Sequence, residues 1–125
     1  MSIPSPQQVP KRAPRTSFAE ITHAVLRCEN GSRVLGTLQL ISTTGGLLGL
    51  EKPLDQGSRV KLMFLTGKGS VLGAAEMLRP VSWVQQPFKF TKLHNDDQQR
   101  LNAAIQISLA QGRGALGLVE RTRAW

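Results

Sequence analysis

A chain of 125 residues, 40% of them apolar, is sized for one globular domain and excludes both a long multidomain array and a disordered polymer. Lys and Arg number 16 against 8 Asp and Glu, a net charge of +8 that draws anions: nucleotides, nucleic acids, phospholipids and acidic proteins alike. Cys28 stands alone, which excludes an intramolecular disulfide and a thiolate metal cluster.

Residues 1–14 are rich in Pro, Ser and Gln and run into Lys11-Arg12-Ala13-Pro14-Arg15, a composition expected of a flexible basic arm. They lack the apolar core of a signal peptide, and no apolar run approaches the roughly 20 residues that span a bilayer. A cytoplasmic protein without a membrane span is expected.

The folded domain is expected over 15–111. Asn30-Gly31 between two apolar runs predicts a hairpin joining a strand over Ala24–Cys28 to another over Arg33–Ile41. Ser42-Thr43-Thr44-Gly45-Gly46 then predicts a turn, since paired glycines permit positive φ and close backbone approach. Leu47–Leu50 resumes a strand, and Pro53–Gly57 is a further turn.

Val60, Leu62 and Phe64 alternate with Arg59 and Lys61, the period of a half-buried strand. Gly67–Ser70 turns the chain into a strand over Val71–Leu78. Two last extended stretches, Val81–Val84 and Phe88–Leu93, are expected on either side of Gln85-Gln86-Pro87. Leu101, Ala104, Ile105, Ser108 and Leu109 then recur at helical spacing, with Asn95 or Asp96 as the expected cap and Gly112 as the stop. The remaining tail, 112–125, is basic and Gly-rich. Short strands at regular intervals followed by one helix predict an all-β fold with one C-terminal helix: a small antiparallel barrel.

Catalytic chemistry finds little support. His23 and His94 are far apart and have no cysteine or other ligand at metal-binding spacing. His23, in a strand-like segment, is expected to be structural. Asp96 and Asp97 suit a helix start better than an acid–base pair. Ser42 lacks the Gly-x-Ser-x-Gly setting of a nucleophile, and Gly67-Lys68-Gly69-Ser70 lacks the full spacing of a phosphate loop. Nonspecific nucleic-acid binding rests on charge alone and is disfavoured, because the chain has no tyrosine and few other aromatic residues to stack on bases. A non-enzymatic module is expected.

The order of these pieces resembles the PilZ domain, the bacterial receptor module for cyclic di-GMP. The resemblance runs from about Lys11 to about Leu109. It is carried by Lys11–Arg15, Ile41–Gly46, Pro53-Leu54-Asp55-Gln56-Gly57 with Val60-Lys61-Leu62, and Phe88-Lys89-Phe90 before the helix. It implies a small PilZ-like β-barrel closed by a helix, no cofactor, and cyclic di-GMP as a regulatory ligand in signalling. In that family an Arg-x-x-x-Arg arm and an Asp/Asn-x-Ser-x-x-Gly turn hold the ligand. The implied ligand-binding residues here are Lys11, Arg12, Arg15, Ser42, Gly45 and Gly46.

Two positions depart from the pattern. Lys11 stands where the first arginine would, and a lysine is a point charge without a planar fork. Leu40 stands at the Asp/Asn position and can accept no hydrogen bond from a guanine edge. The resemblance therefore also implies an alternative: a degenerate PilZ-like adaptor that binds an unidentified protein partner without cyclic di-GMP.

Overall fold

The computed structural model describes residues 14–112. The expected arm and tail lie outside these residues apart from Pro14 and Gly112, and so do Lys11 and Arg12. Six strands and one helix follow in order: β1 (Thr22–Cys28), β2 (Arg33–Ile41), β3 (Gly45–Leu50), β4 (Arg59–Thr66), β5 (Gly69–Met77), β6 (Gln85–Leu93) and α1 (Asn95–Ala110). The strands close into an antiparallel barrel of order β1-β2-β3-β6-β5-β4, with β1 pairing both β2 and β4. Closure leaves no free sheet edge.

The core follows from the alternation of the strands. Ala24 and Leu26 of β1, Val60, Leu62 and Phe64 of β4, and Val71, Ala75 and Met77 of β5 point inward and are essentially solvent-free. Leu101 and Ile105 of α1 complete that core, so the helix covers the barrel with its apolar stripe. The β1–β2 turn forms as its sequence dictates. Gly31 takes φ +88°, and the Asn30 carboxamide oxygen accepts from the Ser32 amide (2.9 Å) and hydroxyl (2.7 Å).

Two local expectations are corrected. Val81–Val84 is not a strand; Val81, Trp83 and Val84 are exposed and the chain bends there. The last strand instead begins at Gln85 and runs through Pro87. Pro87 lies opposite Leu78, just past the end of β5, and its carbonyl accepts from the Leu78 amide at 2.9 Å. The amide hydrogen that proline lacks is replaced by a side chain: Gln86 Nε2 donates to the Leu78 carbonyl at 2.8 Å. Gln86 is fully buried and also exchanges two 2.8 Å bonds with the Leu54 backbone, anchoring the β3–β4 connection.

The helix cap is the second correction. His94, not Asn95 or Asp96, occupies the N-cap, and its side chain makes no capping bond. Asp97 serves instead as a tie to the barrel, its carboxylate accepting from the Leu72 amide (2.9 Å) and from Arg100 Nη2 (3.0 Å). His23 lies in β1, in a strand as expected, on its exposed outer side.

Candidate functional site

The segment before β1 is drawn onto the barrel by backbone pairing. The Thr16 amide donates to the Ile41 carbonyl at 3.0 Å, and the Ile41 amide donates to the Thr16 carbonyl at 2.9 Å. Thr16 is fully buried, and its hydroxyl lies 2.6 Å from that of Ser108 on α1; Ser108 also donates to the Ser17 carbonyl at 2.9 Å. The bridge is isolated, and its next residues along the two segments are Arg15 and Ser42. The second arm arginine and the turn therefore share one locality, although 26 residues separate them in sequence.

The turn itself is held by Ser42. Its hydroxyl donates to the Gly45 carbonyl (3.1 Å), accepts from the Thr44 amide (3.2 Å) and lies 3.1 Å from the Thr44 hydroxyl. Its amide donates to the Gly45 carbonyl at 2.7 Å. Ser42 is 4% exposed, so its first task is to fix the shape of the turn.

Gly45 and Gly46 are needed for close approach, not for positive φ, which neither adopts. A Cβ on Gly45 would stand 2.2 Å from the Phe88 carbonyl oxygen, and one on Gly46 would stand 2.2 Å from that of Leu40. The paired glycines belong to β3 itself and let β2 and β6 close on either side of it.

A bulge decides where Leu40 points. Leu38 pairs with Leu48 and Leu40 with Leu47, so Gln39 is an extra residue on β2. Without it, alternation from the inward Leu38 would bring Leu40 into the barrel. With it, Ile41 is fully buried and Leu40 sits half-exposed on the outer face, beside Leu47. The position occupied by Asp or Asn in the PilZ pattern thus faces outward and carries an apolar side chain.

Register supplies residues that sequence reasoning passed over. Lys89 of β6 pairs with Gly45 and carries its charge on the outer face, 3.8 Å from Glu76 of β5. Lys92, Thr43, Thr44 and Gln98 line a shallow cavity of about 250 Å³ next to the turn. Thr43 and Thr44 belong to the turn already read from the sequence, whereas Lys89, Lys92 and Gln98 reach it only through strand pairing and the placement of α1, which no local motif signals. A larger cavity of about 720 Å³ lies between α1, the start of β1 and the β4–β5 hairpin; it is lined by Phe18, Ile21, Leu65 and Ile107 among others and includes none of the expected ligand residues. Among the described residues no group of three or more His, Cys, Asp or Glu is placed to hold a metal. No helix among them is long and apolar enough to cross a membrane.

No family model and no curated protein matches the chain by sequence. Solved structures match it by fold. The PilZ domain of YcgR from Escherichia coli, solved with c-di-GMP, superposes with a TM-score of 0.68 at 16% identity, covering 81% of this chain and 92% of that one. The complex of K. pneumonia MrkH with c-di-GMP gives 0.67 at 23% identity, over 82% of this chain and 52% of MrkH. The PilZ domain of CeSA from a cellulose-synthesizing bacterium gives 0.56 at 15%, over 78% and 96%. The chain thus spans about half the length of MrkH and nearly all of an isolated PilZ domain. Its closed six-stranded antiparallel barrel with one C-terminal helix is a PilZ-like fold.

Proposed function

We propose that this chain is a non-enzymatic cytoplasmic receptor module for cyclic di-GMP, in which Arg15, assisted by Lys11 and Arg12, takes the ligand against the β2–β3 turn. The observation that supports this reading is the Thr16–Ile41 backbone pair, whose neighbours in sequence are Arg15 and Ser42. A guanidinium at that position can clamp a phosphate with two parallel hydrogen bonds or stack on a base. Ser42, Gly45 and Gly46 hold the turn in a form that brings backbone close to a ligand, and Lys89 adds charge beside Gly45. The solved structures support the reading because two of the matching folds contain c-di-GMP.

Leu40 weakens the proposed site. It leaves a guanine edge without its acceptor, a loss of roughly 1–3 kcal/mol. The expected affinity is accordingly about ten- to a hundredfold below that of a site with Asn or Asp there. The same residue is the basis of the alternative, an adaptor that binds protein without the dinucleotide. Calorimetric titration with cyclic di-GMP separates the two. Saturable heat that Arg15→Ala removes supports the receptor, whereas no heat at high ligand concentration leaves the adaptor.

A further inference from the structure

Strand register places a second cationic feature on the barrel, apart from the turn. Arg33 of β2 pairs with Arg27 of β1, and Arg27 pairs in turn with Lys61 of β4. All three point outward and are exposed. Like charges on directly opposed residues destabilise a sheet, and among the described residues none of the three has an ion pair. The same row continues through Ala74 of β5 to Lys92 of β6, again without an acid. In the adjoining row the one acid, Glu76, faces Arg59 and Lys89. The fold gains nothing from setting three cations side by side, which marks the row as serving something outside the chain.

Two residues further along the same strands lies an apolar row: Leu35, Val25, Met63 and Leu72, paired in that order across β2, β1, β4 and β5. Leu35 is 73% exposed, Met63 45% and Leu72 48%. Outward-facing Leu65, 69% exposed, extends it toward the end of β4. One side of the barrel therefore runs from cationic to apolar within about 7 Å of strand.

We propose that this face docks on an anionic lipid bilayer, with Arg27, Arg33 and Lys61 on lipid phosphates and the apolar row in the headgroup–acyl boundary. Both halves of the face are used by such a surface, since peripheral attachment combines buried apolar area with attraction to anionic lipid. A nucleic acid would use only the cations and leave the leucines and methionine against phosphate and water. Lys92 and Leu65, at the ends of the two rows, border the cavities described above, but Arg27, Arg33, Lys61, Leu35, Met63 and Leu72 line neither. The centre of the face thus has no share in a pocket for a protein anchor residue, whereas a deformable bilayer needs none.

Sedimentation of the full chain with vesicles tests this, using equal parts phosphatidylcholine and phosphatidylglycerol against phosphatidylcholine alone. Binding is expected only to the mixed vesicles. Arg27→Gln should weaken it about fivefold, and the triple change with Arg33→Gln and Lys61→Gln about a hundredfold. Removing like charges should leave thermal stability equal or higher, so lost binding cannot be ascribed to unfolding. Leu35→Ser with Met63→Ser should weaken binding several-fold while the fold is retained. The proposal is overturned by an absence of binding to mixed vesicles at low salt, or by binding that the triple change leaves intact. It is equally overturned if the apolar changes have no effect and a short DNA duplex is held as tightly as the vesicles.

Discussion

Thr16 and Ile41 exchange two backbone hydrogen bonds, 3.0 and 2.9 Å long, and so attach the segment before β1 to the last residue of β2. The attachment is reinforced from the helix, where the Ser108 hydroxyl meets that of Thr16 at 2.6 Å and the Ser17 carbonyl at 2.9 Å. Thr16, the end of β2 and the end of α1 are thereby one unit, in which the segment following Arg15 is held by a serine 92 residues beyond Thr16.

Ser108→Ala removes that reinforcement and leaves the Thr16 hydroxyl and Ser17 carbonyl with their weaker mutual bond of 3.4 Å. A loss of about 1–2 kcal/mol in denaturant unfolding is expected, at an unchanged m-value. Faster hydrogen exchange at the Thr16 amide should accompany it, with amides of β4 unaffected.

Gln86 of β6 is a heavily engaged buried side chain, with bonds to Leu54 in the β3–β4 connection and to Leu78, 32 and 8 residues away. Gln86→Leu would take the partner from three partly buried backbone groups, the Leu54 amide and the Leu54 and Leu78 carbonyls. The expected cost is about 2–4 kcal/mol, read as a lowered midpoint of thermal or denaturant unfolding.

These contacts show why sequence carried part of the architecture and not the rest. The Asn30-Gly31 hairpin and the Val60-Leu62-Phe64 alternation are local patterns, and the structure follows them. Pro87 inside β6 breaks a local rule, and what compensates it is a glutamine side chain reaching the end of β5. Val81-Ser82-Trp83-Val84 has strand composition, but no core lies opposite it. The bulge at Gln39 is likewise a matter of pairing with β3, so the outward aim of Leu40 could not be read from β2 alone. Arg15 and Ser42 are identifiable by their pattern, whereas Lys89 enters only through its register with Gly45.

The glycines separate two kinds of constraint. Gly45→Ala would drive a methyl group to 2.2 Å from the Phe88 carbonyl oxygen, so strands must shift, at an expected cost of about 2–3 kcal/mol or more. Gly67→Ala meets nothing within 4 Å and requires no positive φ. It should be neutral or stabilise by up to about 1 kcal/mol through the unfolded state. Melting curves of the two variants provide the comparison.

Asp97 ties α1 to β5, and its carboxyl lies below the ordinary aspartate value. The Leu72 amide is the main cause, opposed by burial and assisted by Arg100. Because the folded state holds the proton less tightly than the unfolded chain, the stabilisation is full above the ordinary carboxylate range. It is lost as pH falls through the lowered folded value. Asp97→Asn should cost under about 1 kcal/mol at neutral pH, since the pair with Arg100 is partly solvated. The difference from the unsubstituted chain should vanish in strong acid, as unfolding curves across pH would show.

Leu40 offers a gain-of-function test. Its outward position beside Leu47 means that Leu40→Asn alters no core contact and restores an acceptor beside the turn. The expected result is a ten- to hundredfold tighter hold on cyclic di-GMP with unfolding midpoints little changed, on the basis of roughly 1–3 kcal/mol per restored hydrogen bond.

The most direct measurement for the receptor reading is calorimetric titration of cyclic di-GMP into the unsubstituted chain and the Leu40→Asn and Arg15→Ala variants. Saturable binding that strengthens with Leu40→Asn and disappears with Arg15→Ala is the predicted result. Absence of heat in both the unsubstituted chain and Leu40→Asn, or binding indifferent to Arg15→Ala, would contradict it.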